Sequence, residues 1–489
     1  MKRTITCLRS VAPLTGASIG LIGALALLWI TRREPLTLPP LAYLDALGAF
    51  FVFVVWAGAA LWSTLRAPAE QGWRFWLTAL LLTATFVTSW TPLIIAVYVS
   101  IALIHVSPAP RGELTVALRR AIVPLLAAAA LVIGYGTLAW RGARNFDAPL
   151  AGATLDSFVF WFVLLAAAIP LLPSVGRLLD ADTDAKPSLN LFAYAWFYPL
   201  MRLYTLAPWN EGWSFAAMAL GGGAMIWLTL GALTATTRAY RAACNRRRFL
   251  ALALAGIGLS NGAGLAAGCY AALVYLLLVV TEETEPETEA NTGMTVWSFP
   301  SSVPSWLLSG AIPLTAPFIA TWMLVGAGAA GGVTMLAVVA WLTMLIGALP
   351  VVIDSPAIAS RRRWFGGAIS LALGVASPLT LYLLIQPVIE QLQGGLSVYG
   401  DVNVWPWVGL AMVNSARTGI TALPTIGAAG LMVVLSALVY LLSRLLRPKP
   451  AIDPSSPASI AYDEVLNDLR RAVPWLGEPA TKASDHDDR

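Results

Sequence analysis

The sequence predicts an all-α protein, a polytopic transmembrane helical bundle. Of its 489 residues, 58% are hydrophobic and 12% are charged, whereas soluble domains carry about 25% charged residues. Apolar runs of roughly 18–25 residues recur along the chain, and each is long enough to cross a bilayer as a helix. Backbone amides in lipid must pair internally, and these runs are too long for barrel strands, so we expect helices.

The apolar runs predict about 13–14 spans, some of them broken helices. The first run is followed by Thr31-Arg32-Arg33-Glu34 and not by a small-residue cleavage site, so we interpret it as an uncleaved span. The segment 249–280 contains Asn261-Gly262 and fits either one long span or two short helices. The predicted spans are 11–30, 42–62, 74–90, 92–107, 121–140, 157–176, 189–207, 213–236, 249–280, 304–325, 332–353, 365–388, 404–423 and 426–446.

This pattern divides the chain into three regions. Residues 1–40 hold the N-terminal span, and residues 41–449 hold the main transmembrane bundle. Residues 450–489 form a polar tail that opens with a Pro/Ser-rich linker and that we expect to be partly disordered. Within the tail, apolar residues recur at helical spacing, which predicts a short amphipathic helix. These residues are Val465, Leu466, Leu469 and Val473.

Basic and acidic residues are sorted into different connecting segments. Arginines cluster at 238–248 and 361–363, and basic residues recur at 444–449, whereas 282–289 carries five glutamates and no basic residue. Lysine and arginine mark cytoplasmic loops, so we expect the basic segments inside and the acidic segment outside. That arrangement requires an odd number of crossings between Arg248 and Glu282.

Common catalytic motifs are absent from the sequence. It contains no Walker A sequence, dinucleotide-binding fingerprint, CxxC pair or HExxH motif. Its three cysteines are far apart, and it has two histidines, one of them in the polar tail. We therefore expect no cofactor, no metal site and no catalytic residue. The net charge of +5 arises in short loops between spans and calls for no nucleic-acid partner.

Ionisable residues inside a bilayer are functional candidates, because burying them is costly. Near the headgroups, however, long side chains reach water cheaply. For most of the candidates we therefore favour interfacial anchoring, whereas for Arg202 a transport role is equally open. The candidates are Asp45, Arg202, Glu390, His105 and Asp354.

Prolines within three apolar runs indicate broken helices. A proline inside a span frees backbone carbonyls, and discontinuous helices often mark transport sites. Pro92, Pro199 and Pro317 occupy such positions. Pro199 is the best candidate, because Tyr198 and Arg202 flank it and Pro208 follows.

Several short segments occur in a recognisable order between residues 165 and 322. In their order and spacing the chain resembles the antiporter-like membrane subunits of respiratory complex I (NADH-quinone oxidoreductase), a family that includes subunits of Mrp-type antiporters and of membrane-bound hydrogenases. The resemblance extends over about residues 42–392. The segments are Pro170-Leu171-Leu172-Pro173, Tyr194-Ala195-Trp196-Phe197-Tyr198-Pro199-Leu200-Met201-Arg202, Arg247-Arg248-Phe249-Leu250-Ala251 and Pro317-Phe318-Ile319-Ala320-Thr321-Trp322.

The resemblance implies a helix interrupted near Pro199 and a related broken helix within 365–425. It also implies which residues would line a channel if the chain conducts ions. Those candidates are Tyr198, Pro199, Arg202 and Arg247.

At four other positions the family's ionisable residues are missing. The family histidine falls at Val175, its broken-helix lysine at Tyr194 and a later lysine or glutamate at Thr321. The glutamate that pairs with the broken-helix lysine falls at Thr91. Losing both partners together avoids a single charge in a dry interior, which would be strongly destabilising. The resemblance thus implies an inherited fold whose proton channel is degenerate.

We therefore expect a non-catalytic, multi-pass subunit of the cytoplasmic membrane of a prokaryote. Its expected partners are the lipid bilayer and other membrane subunits of a respiratory or antiporter-type complex, in which its role is structural. Two alternatives remain open. One is an unrelated transporter or lipid-modifying membrane enzyme whose site lies in polar loops such as 141–156, and the other is a membrane anchor that recruits partners through its C-terminal tail.

Overall fold

A computed structural model describes most of the bundle. The described residues are 2–38, 42–65, 73–105, 114–142, 145, 155–171, 191–235, 238–281, 303–304, 307–310, 312, 314–353, 361–396, 403–408, 411–416, 419–423 and 434. Val175, the acidic segment 282–289, most of the predicted span 426–446 and the tail 450–489 lie outside them.

In the first half of the chain, the described residues form helices and one short hairpin. Strands β1 (Leu36–Leu38) and β2 (Ala42–Leu44) pair antiparallel before the first long buried helix. The helices are α1 (Lys2–Thr31), α2 (Ala46–Leu65), α3 (Trp73–Val87), α4 (Thr91–His105), α5 (Leu114–Trp140), α6 (Ser157–Ala168), a 3₁₀ turn (Ala193–Trp196) and α7 (Phe197–Leu206).

The second half continues the bundle. Its helices are α8 (Glu211–Thr234), α9 (Arg238–Gly258), α10 (Gly262–Thr281), α11 (Ala316–Ala330), α12 (Thr334–Ile353), α13 (Arg361–Val375), α14 (Ser377–Thr380), a π-helical turn (Leu381–Ile385), α15 (Gln386–Leu392) and a 3₁₀ turn (Gln393–Gly395). An antiparallel sheet follows, with strands β3 (Asn403–Val408), β4 (Ala411–Ala416) and β5 (Gly419–Leu423).

The predicted polytopic bundle with broken helices is confirmed. Within the described residues, five helices are long and apolar enough to cross a bilayer, and five shorter apolar helices accompany them. The five long segments are Pro13–Thr31, Ala46–Leu65, Ile122–Trp140, Glu211–Thr234 and Gly262–Thr281. Helix α10 forms the centre of the bundle, because all but one of its twenty residues are buried.

The three intramembrane prolines begin helices. Pro92 is the second residue of α4, Pro199 the third residue of α7, and Pro317 the second residue of α11. In the first helical turn a missing N–H costs nothing, because that group has no intrahelical acceptor. The break expected at Pro199 is therefore not at that residue, where α7 is continuous. The nearest irregularity is the junction at which the 3₁₀ turn Ala193–Trp196 passes into α7, and we call this junction the first break.

A second broken helix lies where the resemblance implied one. Arg362–Val375 and Ser377–Gly395 meet at an angle of 74°, and the second part includes the π-helical turn. Gly374 stands at this bend, directly against the carbonyl of Leu314, so no side chain would fit there. Leu314 precedes α11 and has a φ of 68°. This second break therefore packs directly against the chain that enters α11.

Helices α9 and α10 form an antiparallel hairpin. A Cβ on Gly256 would lie 2.5 Å from the carbonyl oxygen of Gly264, and one on Gly268 would lie 3.0 Å from that of Ala253. Glycines allow this close approach of two backbones. At about 1.5 Å per residue the two helices have similar lengths, so Thr281 returns to the end of the bundle at which α9 begins.

The hairpin corrects the number of crossings expected before the acidic segment. The chain runs away from Arg238 along α9 and returns along α10, so the odd number expected between Arg248 and Glu282 is wrong. Gly366 of α13 also lies against Thr281, which places the start of α13 at the same end. We call this end, where arginines begin α9 and α13, the basic end. Thr281, the last described residue before the acidic segment, therefore lies at the basic end, whereas the acidic segment itself lies outside the described residues.

The predicted span 404–423 is also wrong. Strands β3, β4 and β5 occupy this segment, with Asn403 opposite Ser415 and Met412 opposite Leu423. Pro406 lies in β3 at an irregularity of register, a position that proline tolerates in an edge strand. Apolar composition alone cannot distinguish such a run from a helix.

Cysteine labelling will test the hairpin on a background without the three native cysteines. Arg241→Cys and Glu282→Cys should react with a membrane-impermeant maleimide from the same side, because α9 and α10 return the chain to one end. Trp140→Cys is the control, since Trp140 is 90% exposed at the far end of α5. Labelling of Glu282→Cys together with Trp140→Cys, and apart from Arg241→Cys, would contradict the hairpin topology.

Candidate functional site

Asp45 occupies the N-terminus of α2 and is almost fully buried, with 3% of its surface exposed. Its Oδ1 accepts a hydrogen bond of 2.9 Å from the backbone N–H of Gly48 and thereby caps the helix. Beyond the cap, the carboxylate points into the bundle. The interfacial anchoring that the sequence favoured for Asp45 is therefore wrong.

Arg202 of α7 pairs with this carboxylate. Its Nη2 donates to Asp45 Oδ1 at 2.8 Å, and its Nη1 pairs with Oδ2, so the contact is bidentate. The Arg202 Nε donates to the hydroxyl of Tyr198 at 2.9 Å, one helical turn earlier. Both Arg202 and Tyr198 are completely buried. The structure thus brings together two of the predicted channel residues, Tyr198 and Arg202, and adds the carboxylate.

Gln391 connects the second broken helix to the same pair. Its Nε2 donates to Asp45 Oδ2 at 2.5 Å, and its Oε1 accepts from the N–H of Leu47 at 2.9 Å. Nearby, a Cβ on Gly395 would lie 2.5 Å from the carbonyl oxygen of Tyr204, so the two broken helices touch. The site therefore joins α2, α7 and α15. A search for ionisable residues could not find Gln391, because its amide is neutral.

Two tyrosines donate hydrogen bonds to the backbone at and before Pro199. Ala195 lies in the 3₁₀ turn before α7, and Pro199, four residues later, has no N–H to donate to its carbonyl. The hydroxyl of Tyr98 in α4 donates to that carbonyl at 2.5 Å. The hydroxyl of Tyr135 in α5 donates to the carbonyl of Pro199 at 2.7 Å. Because lipid offers no alternative partner, these hydroxyls stabilise the first break.

Two further tyrosines act in the same way elsewhere. Tyr270 of α10 donates to the carbonyl of Leu373 at 2.8 Å, in the last turn of α13 before the second break. Tyr204 of α7 donates to the carbonyl of Ile257 at 2.7 Å, in the last turn of α9. Last-turn carbonyls lack the regular helical donor, and that of Ile257 also accepts from the N–H of Ser260 at 3.1 Å.

Tyr194, at the family's lysine position, differs from these four. It is completely buried in the 3₁₀ turn and stacks on Phe51 with ring centroids 6.2 Å apart. Its hydroxyl has no hydrogen-bond partner among the described residues. Tyr98 and Tyr275 lie close enough to interact with it electrostatically. Tyr194 therefore fills space in an aromatic cluster.

The other altered family positions also carry no charge. Thr321 is buried, and its hydroxyl donates to the carbonyl of Pro317 in its own helix at 3.0 Å. Thr91 begins α4 and is completely buried. Thr91 is seven residues before Tyr98 in α4 and therefore lies about 10 Å from it along the helix axis.

The arginines of α9 bind neighbouring backbone. Arg241 donates from Nη2 to the carbonyl of Ala235 at 3.0 Å, just beyond α8. Arg248 is buried, and its Nη1 donates to the carbonyl of Thr343 at 2.8 Å. Arg247, the remaining channel candidate, is 6% exposed. It lies on α9, away from the ion pair on α7.

The remaining candidates form no reactive constellation in the described part of the chain. Arg141 and Asp156, in the loop that the alternative function would use, pair with each other at the surface. Glu390 is exposed and accepts a hydrogen bond from Gln386. No group of three or more metal-ligating side chains occurs among the described residues.

Comparison with solved structures shows that other proteins share this fold. A chain of the Mrp complex from Dietzia sp. DQ12-45-1b has a TM-score of 0.66 and 15% sequence identity, covering 80% of this chain and 95% of that chain. A chain of the membrane-bound sulfane sulfur reductase, an archaeal respiratory membrane complex, has a TM-score of 0.62 and 15% identity, with coverages of 96% and 91%.

A chain of respiratory complex I from Thermus thermophilus has a TM-score of 0.60 at 15% identity, covering 79% of this chain and 98% of that chain. No protein-family model matches the sequence, and no curated protein matches it significantly. The fold expected from the sequence, that of an antiporter-like membrane subunit, is confirmed by these structural similarities.

Removing one member of the ion pair should be far more harmful than removing both. Asp45→Asn keeps a capping oxygen but leaves Arg202 unpaired, and Arg202→Met leaves Asp45 unpaired. Each should lower the free energy of unfolding by about 3–5 kcal/mol. The double variant should cost much less than the sum of the two, because no unpaired charge remains. Denaturant titration of the protein in detergent measures this coupling, and additive losses would show that the pair is not formed.

Two phenylalanine substitutions should distinguish the role of Tyr98, which stabilises the first break, from that of Tyr194. Tyr98→Phe removes the hydroxyl that donates to the Ala195 carbonyl and should cost about 1–3 kcal/mol of unfolding free energy. Tyr194→Phe, equally buried in the same cluster, removes a hydroxyl without a described partner and should be neutral or stabilising. The same titration compares the two. Equal losses would contradict the proposed difference in role.

Proposed function

We propose that this chain is an antiporter-like integral membrane subunit of a complex I-type NADH-quinone oxidoreductase or a related proton- or cation-translocating complex. In this proposal its own proton channel is degenerate and its role is structural. The observation that carries the proposal is the chemistry of the bundle interior. At the described family positions Thr91, Tyr194 and Thr321, the side chains are buried hydroxyls.

Hydroxyls cannot replace the ionisable groups of a proton relay. A relay in a bilayer needs side chains that gain and lose a charge near neutral pH, whereas threonine and tyrosine hydroxyls stay protonated there. The Thr321 hydroxyl donates its hydrogen bond to the Pro317 carbonyl of its own helix, so it cannot donate to a neighbouring group of a proton relay. Tyr194 stacks within an aromatic cluster. These positions therefore favour a sealed interior over a conducting one.

The buried ion pair is also unsuited to carrying protons. A guanidinium does not release protons at neutral pH. Both oxygens of Asp45 are already occupied, because they accept hydrogen bonds from Arg202, Gly48 and Gln391. Protonating Asp45 would break this network and leave Arg202 as an unpaired buried charge, which is costly. The geometry supports a fixed connection between helices.

Similarity to chains of multi-subunit membrane complexes supports a role beside other membrane subunits. The exposed apolar side chains of α1, including Ile19, Ile22 and Trp29, face outward from the bundle, where lipid or a neighbouring subunit would cover them. We place the protein in the cytoplasmic membrane of a prokaryote, with the basic end in the cytoplasm, as the bias of arginine residues favours.

Reconstitution will test the degenerate channel. Purified protein in liposomes loaded with a pH-sensitive dye should show no more sodium- or potassium-dependent proton flux than empty liposomes, because no described relay group replaces the missing ones. An active Mrp-type complex reconstituted in parallel is the positive control. Robust ion-dependent flux would refute the inactive channel.

A separate experiment tests the structural role. Mild-detergent purification of a tagged chain from its native host should yield other membrane subunits in fixed stoichiometry, and the Asp45→Asn variant should reduce that yield by weakening the fold. Recovery of the chain alone, under conditions that preserve a known respiratory complex, would contradict the assignment as a subunit.

A further inference from the structure

Unpartnered polar groups are concentrated at the buried turn between α9 and α10. Ser260 and Asn261 form this turn and are completely buried. Asn261 Oδ1 caps α10 by accepting from the N–H of Gly264 at 2.7 Å, which fixes the orientation of its amide. The other amide atom, Nδ2, has no hydrogen-bond partner in the described part of the chain.

A second unpartnered group comes from α8. A Cβ on Gly258 would lie 2.5 Å from the backbone N of Met218, so α8 packs against the end of α9. Ser214 is one helical turn before Met218 on the same face and therefore lies beside the turn. Its side chain is completely buried. Its Oγ has no partner among the described residues.

A third such group is the indole of Trp209. Its ring stacks on Tyr204 with centroids 4.1 Å apart and an interplanar angle of 9°. The hydroxyl of Tyr204 donates to Ile257 at the end of α9 and lies beside the Ser260 hydroxyl. Trp209 is 3% exposed, and its Nε1 is unpartnered within the described residues.

All three unpartnered groups can form hydrogen bonds with water. Asn261 Nδ2 and Trp209 Nε1 are donors, and the Ser214 hydroxyl can donate or accept. Each unpaired group in a membrane interior is costly, and a buried water typically makes about three hydrogen bonds to otherwise unsatisfied groups. We infer that the buried turn between α9 and α10 holds a small cluster of bound water molecules, contacted by Trp209, Ser214 and Asn261. This inference does not depend on the proposed function.

The sign of a stability change tests the cluster. If water binds Ser214, Ser214→Ala should lower the melting temperature, as Ser370→Ala should, because the Ser370 hydroxyl has a protein acceptor at Leu307 at 2.7 Å. If Ser214 has no partner, removing its buried hydroxyl should leave the melting temperature unchanged or raise it. That second result would overturn the proposal.

X-ray radiolytic footprinting supplies a direct readout, because bound water yields hydroxyl radicals that oxidise adjacent side chains. Trp209 and Tyr204 should oxidise several-fold faster than Tyr270, which is 1% exposed and bonded to backbone. Asn261→Ser keeps a capping oxygen but removes the amide donor, and it should slow oxidation of Trp209. Rates for Trp209 and Tyr204 as low as that of Tyr270 would overturn the proposal even if Ser214→Ala were destabilising.

Discussion

The ion pair between Asp45 and Arg202 is the interaction on which the arrangement of the site depends. Removing two charges from water costs several kcal/mol each, and only close geometry with further hydrogen bonds offsets that cost. Here the geometry requires three elements to meet. The start of α2 supplies the carboxylate, α7 supplies the guanidinium, and α15 supplies the amide of Gln391. A displacement of any one element would leave a charge or an amide unpaired.

The same constraint explains how broken helices persist inside the bundle. A break exposes carbonyls that lipid cannot satisfy. The structure assigns tyrosine hydroxyls from other helices to carbonyls at or beside these breaks, as with Tyr98 at Ala195 and Tyr270 at Leu373. Tyrosine suits this task, because its ring packs in an apolar interior while its hydroxyl supplies one donor. Neighbouring helices thus hold the breaks in place through tyrosine side chains that pack and hydrogen-bond there.

Polar chemistry in the described interior is therefore used mainly to hold helices together. Four tyrosine hydroxyls donate hydrogen bonds to backbone carbonyl groups, and the side chains of Arg241 and Arg248 do the same. The charged pair lies where α2 begins, away from the basic end, and no described charged residue continues it toward Tyr194. The described polar contacts thus account for how the helices of this bundle are held together at their irregular positions.

Much of the fold followed from the sequence, because membrane insertion depends on local properties of the chain. Hydropathy determined the helical class, and the short motif around Pro199 indicated a broken helix and marked Tyr198 and Arg202. Local patterns did not decide outcomes that depend on distant residues. The apolar run 404–423 forms strands and not the predicted span, and only the folded bundle distinguished two helices from one long span in 249–280.

The centre of the site was decided only by tertiary structure. Asp45 and Arg202 are separated by 157 positions, and Gln391 is 346 positions from Asp45. Nothing near Asp45 in the sequence distinguishes a buried carboxylate from one at the membrane surface. Hydrophobicity and helical periodicity are set by neighbouring residues, and the sequence alone determined them. The pairing of charges is set by which helices pack together, so only the folded bundle could determine it.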